Sequence, residues 1–136
     1  MSALGEPLRS LFADLAHGGD LDGAAPSALA GERVLCGEAG SRHGGTQVRL
    51  QLRVRWQDRQ VLEVRYRAYG CPYTLATCEW LARRLTGHAL SALPALDPAV
   101  GGARDWAAQL AAPAVRLGRL LVIEDALRAA LASDHI

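Results

Sequence analysis

The five residues Tyr69-Gly70-Cys71-Pro72-Tyr73 join two halves of unlike periodicity. Before them, apolar and polar residues alternate; after them, apolar residues recur every three or four positions. The first pattern is that of a strand with one buried face and the second that of an amphipathic helix. Cys71 therefore stands where a strand stops and a helix starts. Pro72 suits the first helical position, since its ring presets φ and its missing N–H would be unpaired there anyway. The Cys71 sulfur is then expected beside free backbone N–H groups and the positive end of a helix dipole. Both favour thiolate over thiol, and thiolate is the nucleophile and the metal ligand.

Working back from this junction, Val48, Leu50, Leu52, Val54 and Trp56 alternate with Gln47, Arg49, Gln51, Arg53 and Arg55. Gln57-Asp58-Arg59-Gln60 reads as a polar turn, and Val61 to Tyr69 resumes the alternation. Leu62, Val64, Tyr66 and Ala68 are expected inward, with Glu63, Arg65 and Arg67 outward, as in an antiparallel hairpin. The arginine stripe at 49, 53, 55, 65 and 67 reads as a solvated sheet face rather than a nucleic-acid surface. Gln51 and Glu63 interrupt it, and no exposed aromatics interleave with the charge. Gly18 to Gly45 has little periodicity and reads as a long loop, of the kind that is usually functional or mobile; Cys36 and His43 lie on it. Leu4, Leu8, Leu11, Phe12 and Leu15 have helical spacing, closed by Gly18-Gly19.

Beyond the junction, a helix is expected from Pro72 to about Leu85. Leu75, Cys78, Leu81, Ala82 and Leu85 would share its buried face, with Glu79, Arg83 and Arg84 off it. Cys78 is then a core thiol, roughly 10 Å along the helix axis from Cys71 and out of reach of a metal ion held there. Ser91 to Gly102, with Pro94, Pro98 and a glycine pair, is a connector. A short helix follows around Trp106 and Leu110 until Pro113 breaks it. The last helix, roughly Arg116 to Ala132, is expected to bury Leu117, Leu120, Leu121, Leu127 and Leu131.

The 136 residues suit one domain, 1–136, with a real core. All 15 basic residues are arginine against 14 acidic ones, a balance that points to neither nucleic acid nor a membrane surface as partner. No apolar run approaches a membrane span of about 20 residues, and no secretory signal is recognisable. Three cysteines do not make a disulfide framework, so a reducing cytoplasm is the expected compartment. Walker loops, G-x-G-x-x-G, H-E-x-x-H, C-x-x-C and G-x-S-x-G are all missing, and no enzyme activity is expected.

The runs Arg49-Leu50-Gln51-Leu52, Tyr66-Arg67-Ala68-Tyr69-Gly70-Cys71, Leu75-Ala76-Thr77, Val115-Arg116-Leu117 and Ile123-Glu124-Asp125-Ala126-Leu127-Arg128-Ala129-Ala130-Leu131, with His17-Gly18-Gly19-Asp20-Leu21 near the start, together resemble the IscU/NifU-type iron–sulfur cluster assembly scaffolds. The resemblance implies an α+β fold: a small antiparallel three-stranded sheet with helices packed on one face and a metal site at one end. The third strand would come from around Arg33-Val34-Leu35. It also implies cysteine desulfurase or other assembly proteins as partners, and iron or a [2Fe–2S] cluster as what is bound.

The ligand set departs from that family. Gly44-Gly45-Thr46 stands where the family has Cys-Gly-Asp, and Gly118-Arg119 where it has its last cysteine; only Cys71 is kept. A cluster needs about four protein ligands, so Cys71 could be joined at best by His43 and by Cys36 on its loop. Arg119 would repel a cation and hold Cys71 ionised. Pro113, Val115 and Arg116 remain of the family's chaperone-docking run and are the candidate partner-binding residues. Three readings stay open: a scaffold with altered ligands or one completed across a homodimer, a persulfide-accepting carrier using Cys71, and a metal-free adaptor.

Overall fold

The computed structural model describes residues 14–19, 31–90, 100–110, 112 and 117–133. Three strands form one antiparallel sheet in the order β1 (Glu32–Ser41), β2 (Thr46–Arg55), β3 (Gln60–Tyr69). Among the described residues three helices follow: α1 (Pro72–Leu85), α2 (Ala103–Leu110) and α3 (Leu117–Ala132). In this α+β fold α3 lies on β1 and β2, α1 on β3, and α2 packs on α3. Among the described residues no helix is long and apolar enough to cross a membrane. The N-terminal helix expected over Leu4–Leu15 lies, but for its last residues, outside the described residues, as does most of the 91–102 connector.

The alternation in β2 does what period two requires. Val48, Leu50, Leu52 and Val54 are all fully buried against the helices. In β3 the alternation slips once. Register runs Leu52↔Val64 and Arg53↔Glu63, then Val54↔Val61, leaving Leu62 as the extra residue of a bulge. Val61 therefore enters the core where Leu62 was expected, and Leu62 is only half-buried. The outer face is not uniformly wet either, because Gln51 is buried there.

Most of the stretch from Gly31 to Gly45 corrects the loop reading: ten of its residues are β1, paired along their whole length with β2. Its composition hid it, because glycines at 37 and 40 are poor strand formers. Packing makes them necessary. A Cβ at Gly37 would fall on the Ala126 carbonyl and the Ala130 amide of α3, so helix and strand backbones touch there. Two helical expectations also change. Leu121 is 40 % exposed, whereas Ile123, Ala126 and Ala130 fill the buried face of α3. Glu79, placed on the polar side of α1, is fully buried, and Leu75 is not.

Glu79 is buried because it has partners on every side. Its Oε1 accepts the His17 backbone N–H (2.9 Å) and the Tyr66 hydroxyl (3.1 Å), and its Oε2 accepts Arg83 Nε (2.7 Å) and pairs with His17 Nδ1 (2.6 Å). Burial pushes this carboxyl up, but the Arg83 and His17 interactions outweigh it and hold the pKa below the ordinary glutamate value. Backbone bonds complete the arrangement: Tyr66 N–H donates to His17 O and Gly19 N–H to Tyr66 O. Residues 17–19 thus lie along the free edge of β3 in a parallel bridge, closing part of an edge that would otherwise present unpaired groups.

Candidate functional site

Three elements meet at one end of the sheet. The β1–β2 turn (42–45) and the start of β2 lie beside the end of β3, since Gln47 is opposite Tyr69. The chain then leaves β3 through Gly70 into α1, and the first turn of α3 reaches Thr46, where Arg119 Nη1 donates to Thr46 Oγ1 at 3.2 Å. A groove of about 400 Å³ opens here between Ser41, Gly44, Thr46, Gly118 and Arg119. The structure thus brings together the two segments that the resemblance aligned with lost ligands.

Cys71 sits at the N-cap of α1 with extended backbone (φ −79°, ψ 169°), and Pro72 opens the helix. Its carbonyl accepts the Thr74 and Leu75 N–H groups at 2.9 and 3.2 Å. The Sγ lies 3.7 Å from Thr74 Oγ1. One flank of Cys71 packs on the apolar group of Tyr73, Ala76 and Leu110. Burial on that side raises the thiol pKa, but the Thr74 N–H, the Thr74 hydroxyl, the Tyr73 N–H and the Arg119 charge together outweigh it. The Cys71 thiol lies below the ordinary cysteine value. Cys78 is the opposite case: complete burial, with Glu79 beside it, pushes that thiol far up. Thr74, one turn into α1, carries much of this effect and was not singled out from the sequence. The signal was there, since a hydroxyl at the third helical position can reach back to the cap.

This contrast makes a prediction. At pH 7 alkylation is expected to modify Cys71 at least about tenfold faster than Cys78, because rate follows thiolate fraction and access. Its pH midpoint should lie below that of a free cysteine and move up in Arg119→Ala, as residue-resolved mass spectrometry would record. Equal rates at Cys71 and Cys78 would refute the activated thiolate.

The other expected ligands are placed differently. Cys36 is in the middle of β1, opposite Gln51, so no loop carries it. Its neighbour Leu35 is buried under the helices, so Cys36 faces the other side of the sheet, four residue pairs from the Cys71 end. His43 is exposed in the β1–β2 turn, at the Cys71 end. Among the described residues no three His, Cys, Asp or Glu side chains are grouped to hold a metal ion. A closed four-donor site for a cluster does not fit this donor set. Pro113, Val115 and Arg116 lie outside the described residues.

Comparison with known proteins adds the family. The sequence model of the NifU-like N-terminal domain matches residues 10–133. A bifunctional NifU/MnmA protein of Rubrobacter xylanophilus is 44 % identical over 71 residues, which is 48 % of this chain and 14 % of that protein. The chain thus spans about a seventh of the curated relative it matches. Among solved structures, a protein described as an iron–sulfur cluster assembly scaffold of the SUF system from Fervidobacterium islandicum shares the fold. Its TM-score is 0.62 at 15 % identity, over 93 % of this chain and 95 % of that one. With a family match that runs through β1, the Cys71 junction and α3, the chain belongs to the NifU-like N-terminal domain family.

Proposed function

We propose that this protein serves in iron–sulfur cluster assembly, and that Cys71 is the group through which it handles sulfur. The observation that carries the reading is a half-buried cysteine at the helix cap, Cys71, whose thiol pKa the first turn of α1 and Arg119 lower at the end of a NifU-like fold. The chemistry open to it is sulfur transfer from a protein persulfide, as a cysteine desulfurase would present. The Cys71 thiolate attacks the outer sulfur, a new S–S bond forms at Cys71, the donor's S–S bond breaks, and the donor leaves as thiolate. The transferred sulfur keeps its oxidation level and its proton, so no further oxidant or reductant is required. Arg119 stabilises the attacking anion and then the acidic persulfide that replaces it. Iron or a [2Fe–2S] cluster, as cargo, would need donors beyond Cys71, from His43 or from a second copy of the chain.

Two measurements on protein purified without air test this. Incubation with a cysteine desulfurase and cysteine is expected to add one sulfur atom at Cys71 and none at Cys78. Reconstitution with iron and sulfide is expected to give less than one stable cluster per chain, as ligand number requires. A stoichiometric cluster that vanishes in both Cys36→Ala and His43→Ala would overturn the ligand argument and establish a scaffold with a relocated site. An unmodified Cys71 in a protein that still binds the desulfurase would leave the adaptor reading in its place.

A further inference from the structure

Thr74 lies in the first turn of α1 and is fully buried. A helical threonine commonly turns its hydroxyl onto the carbonyl four residues back. Thr86, at the other end of α1, does this, its Oγ1 donating to the Ala82 carbonyl at 2.7 Å. Thr74 does otherwise. Among the described residues the partner of its Oγ1 is Cys71 Sγ, three residues back and 3.7 Å away. A thiolate has no proton to give, so with Cys71 ionised the hydroxyl is the donor. Gly70 makes room for that contact. A Cβ there would stand 2.9 Å from Thr74 Oγ1, 3.1 Å from its Cβ and 3.2 Å from its Cγ2. The φ of Gly70 lies outside the left-handed region, so the backbone conformation does not call for glycine at this position. The close approach of Thr74 does.

We propose that Thr74 is the positioning residue of Cys71, its hydroxyl, admitted by Gly70, fixing the direction in which Sγ meets a sulfur donor. The sulfur is held from two sides. The apolar group of Tyr73, Ala76 and Leu110 packs on one flank, and the Thr74 hydroxyl binds it from within the first turn. Attack on the donor then starts from a narrow range of geometries, which is where an oriented group gains its rate. Thr74 stays outside the bond changes: the S–S bond forms at Cys71, the donor's S–S bond breaks, and no proton leaves the hydroxyl. Its action differs from that of Arg119, which works on the same sulfur through charge and not through a directed bond. The identity of the donor, a protein persulfide, rests on the sulfur-transfer reading; the aim of Sγ does not.

Single-turnover transfer from a persulfide-loaded cysteine desulfurase to the full chain, read at Cys71 by mass spectrometry, tests the proposal. Thr74→Val keeps the shape and removes the donor. It is expected to lower the rate at saturating desulfurase at least about tenfold, while the half-saturating concentration changes less than about twofold. Thr74→Ser, which keeps the hydroxyl, should stay within about threefold of the parent. Gly70→Ala should be slowed as Thr74→Val is, and the double variant Gly70→Ala/Thr74→Val no further, since both remove one contact. Reaction of Cys71 with a small neutral disulfide, dithiodipyridine, tells the two roles apart: the thiolate attacks one sulfur, thiopyridone leaves, and the same order of rates is expected. A parent that takes no sulfur from the desulfurase yet keeps this order would remove the sulfur-transfer reading and uphold Thr74. Thr74→Val as fast as the parent, Thr74→Ser as slow as Thr74→Val, or a change in half-saturation alone would overturn the positioning role and leave that reading standing.

Discussion

Gly37→Ala is expected to lower the free energy of unfolding by about 3 kcal/mol, the upper part of the range for forcing extra volume into a packed core. The added methyl would meet backbone and not the tip of a side chain: the carbonyl of Ala126 and the amide of Ala130. Neither can rotate away, so α3 must lift off β1. That would loosen the packing of Leu120, Ile123, Ala126, Leu127 and Ala130, all buried in the core. Urea unfolding measures the loss. Gly118→Ala is the control, because a Cβ at Gly118 meets nothing within 4 Å and the residue is helical. It should stabilise by about 0.5–1 kcal/mol through helix propensity. A Gly37→Ala protein as stable as the parent would mean that α3 does not rest on β1 as described.

Glu79→Ala is expected to cost about 3 kcal/mol, as removal of one partner of a buried charged network does. It would leave the His17 amide, the Tyr66 hydroxyl and Arg83 Nε without their acceptor in or beside the core. Acid should act in the same direction. The folded pKa of Glu79 lies below its unfolded value, so its contribution is fully present above about pH 4.3, the ordinary glutamate value. It is lost as pH falls from there through the folded pKa. Unfolding followed between pH 7 and 3 should therefore show a steeper acid loss in the parent than in Glu79→Gln. Parallel curves for the two proteins would show that the carboxylate is not what holds His17 to the sheet. Leu15, Gly18 and Gly19 wall a groove beside Tyr69, so loss of the network should also open it.

Much of this was legible in the chain itself, for physical reasons that differ by element. The alternation of β2 is long and regular, and a one-residue slip would turn four core side chains into solvent, so its face was determined locally. The Tyr69–Tyr73 junction was legible because Pro72 can open a helix but hardly continue one. The bulge at Leu62 was not, since both register choices place a branched apolar residue inward. Cys36 shows the same limit at the site. Its segment, poor in strand formers, takes its form from pairing with β2 and from α3 lying on Gly37, contacts remote in sequence.

Local sequence placed Cys71 at the cap of a helix at the end of a sheet, and the resemblance to the family aligned Gly44, Thr46 and Arg119 with its other ligand positions. Those are statements about local backbone and residue identity. Tertiary structure decided the rest. It put Arg119 on Thr46 at the Cys71 end and left Cys36 on the opposite face of the sheet. It also made Glu79 a buried anchor, although its helical position reads as polar surface. A carboxylate can leave water only if donors from elsewhere in the chain converge on it. Here they come from residues 62 and 13 positions away, as well as from Arg83 one turn on, and no local pattern records that meeting.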